Sequence, residues 1–429
     1  MSKINGWQSL PLEDLTSLIK DGTHGTHQDI DSGVPLLSAK DIRNGVLEIP
    51  NDCRRISFFD YSLIHKNYEI AKNDILLTVV GSIGRCYLVS GSEPRFTIQR
   101  SVSVIRPQSI NANYLYHYFL SENFQRQLKN SVNASAQGGV YLGTLANCLV
   151  NFPTCKEEQE QIAAVLSTID RAITQTEAII VKQQRIKTGL MQDLLTKGID
   201  EKGNIRSEAT HEFKDSAIGR IPVEWDVELL DKLGERGSGH TPNKSHPNYW
   251  NGGIKWVSLA DSNKLDQIYI FDTDKEISTQ GLKNSSAVLH PKGTVILSRD
   301  AGVGKSAILG TEMAVSQHFI VWQCGTNLNN YYLYYWLQKE KPKFEGIASG
   351  STIVTIGLQF FRQYQIAIPK LIDEQNLIAE IIKKSDKCIL KHRGSLEKLK
   401  RRKTGLMQDL LTGKVRVTNL LKEKDPTSP

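Results

Sequence analysis

The sequence is poor in cysteine, and none of its six cysteines is closely paired. Cys53, Cys86, Cys148, Cys155, Cys324 and Cys388 are scattered over 429 residues, with no C-x-x-C among them. Zinc sites place ligands in close pairs, and secreted disulfide scaffolds are far denser in cysteine. Free thiols and no metal are therefore expected. No run of about 18 consecutive apolar residues occurs, so no membrane-spanning helix is expected. The opening MSKINGWQSLPLEDL has no basic segment ahead of an apolar run, which predicts no secretory signal and a soluble, cytoplasmic chain.

Catalytic signatures are missing as well. There is no H-E-x-x-H, no G-x-S-x-G, no complete G-x-G-x-x-G, and no N-P-P-Y or D-P-P-Y stretch of an adenine methyltransferase. The adjacent carboxylates Glu157 and Glu158 fall at a solvated helix start. Arg299 to Ser306 ends in GKS after a strand-like run, yet the phosphate-loop pattern G-x-x-x-x-G-K-[ST] would need glycine where Arg299 stands. No catalytic residue is assigned, and a non-enzyme is expected.

What is present is duplication. Lys187 to Thr196 and Lys403 to Thr412 both read KTGLMQDLLT, displaced by 216. The displacement holds back to Pro153 and Pro369, matching Glu158 with Glu374, Gln159 with Gln375, Asp170 with Asp386 and Ile173 with Ile389. Looser parallels precede it. GVPLLSAKD (Gly33 to Asp41) matches GIKWVSLAD (Gly253 to Asp261), and ILLTVVGSIGR (Ile75 to Arg85) matches VILSRDAGVGK (Val295 to Lys305). NYLYHYFL (Asn113 to Leu120) is set against NYYLYYWL (Asn330 to Leu337). A chain of this length exceeds one core, and 39% hydrophobic with 23% charged residues is an ordinary globular balance. Each copy has a variable part of about 150 residues and a nearly fixed part of about 45. Two copies differing mainly in the first part suit one task performed on two targets.

The fixed part predicts a long helix. Thr154 and Glu157 offer a capping box. A seam with 3-4 spacing follows through Ile162, Leu166, Ile169, Ile173, Thr176, Ile180, Gln183, Lys187, Leu190 and Leu194. The second copy gives Ile378, Ile382, Ser385, Ile389, His392, Leu396, Leu399, Lys403, Leu406 and Leu410. A 3.5-residue period favours a left-handed coiled coil, and two helices about 60 Å long would pair most simply antiparallel. Apolar seam residues are the candidate pairing and partner-docking positions, and polar ones would favour one register. Gly198 and Gly413 stand where helix C-caps fall.

The variable parts read as α/β (α+β) modules. DILLTVV, RCYLVS and SVSVIRP in the first, and TVILS and HFIVWQC in the second, predict strands. Tyrosine-rich segments (Asn113 to Leu128, Asn330 to Lys343) predict helices on the sheet, their rings expected in the core. The division expected is a first recognition domain over 1–152, a helix over 153–198, a linker over 199–221, a second domain over 222–368, a helix over 369–415 and a tail over 416–429. A formal charge of +7 favours a polyanionic partner. A glycine turn carrying Arg85 in one copy and Lys305 in the other suits contacts to DNA phosphates.

This layout closely resembles the specificity subunit of type I restriction-modification enzymes, over essentially the whole length. The resemblance rests on the twin KTGLMQDLLT ends, the closing RRKTGLMQDLLTGKVRV (Arg401 to Val417) and I-P-x-E-W at Ile221, Pro222, Glu224 and Trp225. It implies two target-recognition domains, each reading half of a bipartite DNA site, with helical spacers that set the gap and dock two methylation subunits. Restriction subunits would join the assembly. S-adenosylmethionine, ATP and magnesium would belong to those partners, with no cofactor in this chain. Family analogy and loop chemistry together pick candidate DNA contacts: Thr23, His24, Thr26, Arg54, Arg55 and Arg85, then His240, Thr241, Lys244, Arg299 and Lys305. The competing reading is a coiled-coil scaffold whose modules bind protein or peptide.

Overall fold

The computed structural model describes residues 5–43, 45–133, 138–300, 302–348 and 355–418. The chain divides into two units, residues 1–177 with 394–429, and residues 178–393. Two 39-residue helices, Lys156–Leu194 and Ile372–Leu410, each give one half to either unit. At 1.5 Å per residue each is about 58 Å long.

In the first unit, strands run in the order Thr16–Asp21, Val102–Pro107, Ile75–Thr78, Cys86–Leu88, all antiparallel. A small sheet orders Arg55–Ile56, Val34–Leu37 and Thr97–Ile98, the last pair parallel. The opening strand Trp7–Pro11 pairs antiparallel with Leu149–Pro153, directly ahead of the long helix. The second unit repeats the plan with one more strand in each of the two sheets. Its five-stranded sheet runs Gly234–Ser238, Phe319–Cys324, Val295–Ser298, Ser306–Leu309, Tyr269–Ile270. Its four-stranded sheet runs Lys275–Ile277, Trp250–Val257, Met313–Val315, Leu289–His290. The opening strand here is Trp225–Leu229, paired with Gln365–Pro369. Trp7 and Trp225 thus begin the two copies at a displacement of 218, a repeat start that the sequence parallels above do not reach.

Hydrogen bonds set the alignment of the copies. Ser38 and Asp41 form a capping box matched by Ser258 and Asp261. The Gly84 and Gly304 N–H groups close the same turns onto Thr78 and Ser298 carbonyls. Both pairs confirm the 220 displacement read there. The tyrosine segments require a correction of one residue. Asn111 and Asn329 cap their helices, and each donates its own N–H to the side-chain oxygen of the repeated Gln159 or Gln375. That displacement is 218, so His117 aligns with Tyr335 and Tyr118 with Trp336. Stacking agrees: Tyr114–Tyr118 and Tyr332–Trp336 rings lie 6.5 and 6.4 Å apart. The rings are core, as expected, with Tyr114 and Tyr332 hydroxyls donating to the carbonyls of Asn151 and Ala367. Asn113 to Leu128 is not one helix but two, Ala112–Phe119 and Glu122–Asn133. The break falls at Ser121, whose hydroxyl donates to the Tyr118 carbonyl and receives the Phe124 N–H.

The expected Thr154–Glu157 capping box does not form. Thr154 donates its N–H and hydroxyl to the Gly6 carbonyl, and Glu157 accepts from the Cys155 thiol. The residue between them in role is Glu158, fully buried, which takes two bonds of 2.6 and 2.7 Å from Arg416. In the second unit Glu374 takes Arg206 at 2.5 and 3.1 Å, the Trp225 Nε1–H at 3.1 Å and the Ile199 N–H at 3.0 Å. Burial pulls the Arg206 guanidinium toward deprotonation, and the Glu374 bond and charge more than reverse it. Residues 199–221 are therefore not a free linker. They carry buried Ile199 and Arg206 and the hairpin Phe213–Ser216 with Gly219–Pro222.

Within each unit the helix halves lie side by side, antiparallel. In the first, Asp170 pairs with Lys403 at 2.7 Å and Glu177 with Lys400 at 2.9 Å. In the second, Asp386 pairs with Lys187 at 2.6 Å and accepts the Tyr335 hydroxyl at 2.9 Å. The two Asp–Lys pairs exchange partners under the 216 displacement. Every seam position is buried or half-buried, polar ones included. Gly198 and Gly413 follow the helix ends at φ 68° and 72°. At Gly198 a Cβ would stand 2.3 Å from the Glu374 carboxylate and 2.6 Å from the Trp225 ring. Gly198→Ala should cost about 2 kcal/mol, from positive φ plus displacement of a buried ion pair. Urea unfolding checks this, with Gly189→Ala, in open space within the helix, as the control.

Candidate nucleic-acid interface

Loop residues chosen from the sequence divide into those that bond within their own unit and those left exposed. Arg85 donates to the Ile42 carbonyl at 3.3 Å, and Lys305 to the Ser262 carbonyl at 3.2 Å. Positions 42 and 262 correspond at displacement 220, so both cations brace the same turn in each copy. The glycine turn is thus held by its own backbone and cation; Arg85 stays exposed with one guanidinium donor in use, and Lys305 is half-buried with its ammonium on Ser262. Arg55 donates to the Gly33 carbonyl at 3.2 Å and is half-buried, while its neighbour Arg54 is exposed. Arg54 stands just ahead of the strand Arg55–Ile56, so the two neighbours differ in exposure without both belonging to it.

Thr23 and Arg54 come together around His27, while His24 and Thr26 are exposed in the same loop. The Thr23 hydroxyl lies 2.7 Å from His27 Nε2, and Arg54 donates to the His27 carbonyl at 2.9 Å. The other His27 nitrogen is 3.5 Å from Asp60. His24 stands 3.8 Å from Asp21, whose carboxyl burial pushes up against the opposing Ser103 bond and His24 charge. Loop start and sheet are locked by glycine: a Cβ on Gly22 would meet the Ile98 carbonyl at 2.2 Å, and one on Gly239 the Val315 carbonyl at 1.6 Å. Thr23 and His240 then donate their N–H groups to those same two carbonyls.

In the second unit His240 and Lys244 are exposed. Thr241 donates its hydroxyl to Gln317 at 2.6 Å. The Arg299 N–H bonds the His318 carbonyl, while its side chain is half-buried, with Nε 3.6 Å from Asp300. His318 Nδ1 meets Asp300 at 2.6 Å, and Thr355 donates to the same carboxylate. Sequence reasoning missed Gln317, His318 and Asp300. The signal lay in the repeat. Aligning on the backbone bonds of the Gly22 and Gly239 loops sets Arg100 against Gln317 and Ser101 against His318, and the turn alignment sets Val80 against Asp300. Val80 bridges to Gly139 where Asp300 bridges to Thr355. One backbone frame therefore presents two unlike sets of side chains at the same place, which is what reading two different ligands of one class demands.

Among the described residues no group of three or more His, Cys, Asp or Glu side chains is placed to hold a metal ion. No described helix is long and apolar enough to cross a membrane.

Comparison with known proteins agrees with this plan. Residues 4–183 and 222–401 each match the type I restriction modification DNA specificity domain. The MjaX type I restriction enzyme specificity subunit of Methanocaldococcus jannaschii is 25% identical over 432 residues, spanning 96% of this chain and 94% of that protein. The MjaIX specificity subunit of the same organism is 32% identical over 181 residues, 42% of this chain and 41% of that one. Among solved structures, the S subunit of a type I restriction-modification system from M. genitalium superposes with TM-score 0.58 at 14% identity, covering 96% of this chain and 97% of its own. That likeness establishes the shared fold. With two copies of the domain in tandem, the chain belongs to the type I restriction-modification specificity family, in which it supplies DNA sequence specificity and no catalysis of its own.

Proposed function

We propose that each unit reads one half of a bipartite duplex site, and that the long helices set the number of base pairs between the halves. The observation that carries this is the doubled frame with unlike residues on it: Thr23, Val80, Arg100 and Ser101 in one copy, His240, Asp300, Gln317 and His318 in the other. Gln317 has the chemistry of a base reader, since an amide pairs bidentately with an adenine edge in the major groove. His24, Thr26, Arg54 and Lys244, exposed beside these positions, suit phosphate or base contacts. Half-sites read from one face of DNA lie about 34–36 Å apart, a span that helices about 58 Å long can hold and a flexible linker cannot. Two methylation subunits dock on the duplicated helices, and restriction subunits join through them. S-adenosylmethionine, ATP and magnesium serve those partners.

The test is methylation mapping of DNA from cells carrying the complete system. Four residues inserted between Thr168 and Lys182 add about 6 Å of helix, under two base-pair steps of ~3.4 Å. The unread gap should lengthen while both half-sites stay the same. A Gln317→Ala change should cost about 1–3 kcal/mol of discrimination and relax one half-site only. Altered half-sites after the insertion, or two altered halves after Gln317→Ala, would sink the reading.

A further inference from the structure

In the second unit a chain of side-chain contacts runs from the buried carboxylate of Asp300 out to the exposed amide of Gln317. Asp300 accepts the Thr355 hydroxyl on one oxygen and meets His318 Nδ1 at 2.6 Å on the other. An ionised carboxylate only accepts, so in the neutral ring the proton sits on Nδ1 and Nε2 is left as a bare acceptor. Arg299, with its Nε 3.6 Å from the same carboxylate, offsets the Asp300 charge. Gln317 is oriented in its turn. Its Oε1 accepts the Thr241 hydroxyl at 2.6 Å, which leaves the two hydrogens on Nε2 as its outward groups. Gln317 Nε2 and His318 Nε2 lie 3.5 Å apart, a donor beside an acceptor. That distance is long for a hydrogen bond, so the contact between them is weak and yields to a ligand. The first unit builds nothing of the kind on the same backbone. Arg100 stands there for Gln317, Ser101 for His318 and Val80 for Asp300. Arg100 is exposed, and a guanidinium offers donors only.

In the major groove adenine shows an acceptor, N7, beside a donor, its N6 amino group, whereas guanine shows two acceptors, N7 and O6. We propose that the second unit reads an adenine with two side chains, Gln317 Nε2 donating to N7 and His318 Nε2 accepting from N6, and that Asp300 is the positioning residue that fixes the tautomer of the ring. A glutamine with both groups free would read adenine alone; here Thr241 holds its oxygen, and the imidazole supplies the acceptor instead. The same place in the first unit reads guanine, whose two acceptors match the donors of Arg100. This rests on the reading that each unit faces the bases of one half-site, and it names a base in each. The second unit rejects guanine because O6 would face the bare His318 Nε2, acceptor against acceptor, with neither satisfied. Cytosine lacks the acceptor and thymine the donor.

The experiment uses the full chain with the methylation subunits of its own system, and duplexes carrying the site found by methylation mapping. Binding of duplexes substituted at each position of the second half-site locates the base whose choice depends on Gln317. Adenine should be preferred there by about 10- to 100-fold. Replacing it with 7-deazaadenine, which lacks N7, or with purine, which lacks the amino group, should each weaken binding about 3- to 10-fold. Gln317→Ala should abolish the first penalty and keep the second, and His318→Ala should do the reverse. Asp300→Asn lets the ring carry its proton on Nε2 and should narrow the preference for adenine over guanine. Gln317→Arg, His318→Ser and Asp300→Val together install the first unit's residues and should move the preference to guanine, a gain that poor folding cannot mimic. A base other than adenine at that position, or analogue penalties that persist in both alanine variants, overturns the proposal while leaving this surface a base reader. If no position of the second half-site responds to Gln317, the base-reading surface itself is lost, and the proposal with it.

Discussion

Glu374→Ala should destabilise the second unit by about 3–5 kcal/mol, the cost of leaving a buried charge without its partner. The carboxylate gathers four donors from three separate stretches of chain: two guanidinium N–H groups of Arg206, the indole of Trp225 and the backbone of Ile199. Removing it leaves all of them without that acceptor, the Arg206 charge among them buried. Arg206→Ala should cost a similar amount, and the double variant clearly less than the sum, because one change has already broken what the other removes. Glu374→Gln keeps the shape and accepts some of the bonds, and should fall between. Urea unfolding of the four proteins gives the cycle. Additive losses would mean that the cluster is not a single unit. Glu158→Ala should act alike on the first unit through Arg416, whose guanidinium also donates to the Asn5 carbonyl at 2.8 Å.

Acidification should selectively weaken the first unit through His117. Its ring is buried, with Nε2 3.0 Å from the Ser167 hydroxyl and Nδ1 3.8 Å from the Asp170 carboxylate. Burial lowers its pKa to about 4, with Asp170 opposing and Lys403 assisting. In the unfolded chain histidine titrates near ~6.5. Between these values the unfolded chain binds more protons, so stability rises with pH across that window and is lost on acidification. From pH 7 the loss should reach about 2 kcal/mol by pH ~5 and about 3 kcal/mol below pH ~4. The second copy indicates the control. Tyr335 stands at the equivalent place and bonds Asp386 without titrating near neutrality. His117→Tyr should therefore flatten the difference in stability between pH 7 and pH 5 relative to the unaltered chain. An undiminished pH dependence in that variant would show that the proton goes elsewhere.

The sequence by itself determined the duplication, the two long helices and their seam, because identity at fixed displacement and a 3.5-residue period are properties of the chain alone. It also placed the strands Ile75–Thr78, Val102–Pro107 and Phe319–Cys324, where β-branched runs leave little alternative. It did not show which residues fasten those elements. Glu158, Gln159, Glu374 and Gln375 stood out as repeated letters, but Arg206 and Arg416 are 210 residues apart, six short of the 216 that relates Glu158 to Glu374. Only folding brings each to its carboxylate. The reading surface was half legible for the same reason. Polar loop residues such as Thr23 and Thr241 can be picked by composition. Arg85 and Lys305, equally polar, each donate to a carbonyl 43 residues away in sequence, a use that composition does not show. Gln317 and His318 emerged only once backbone hydrogen bonds had aligned the copies across their insertions. Periodicity is local and survives in one dimension. The satisfaction of buried charges and carbonyls is settled by neighbours in space, and that was for the tertiary structure to decide.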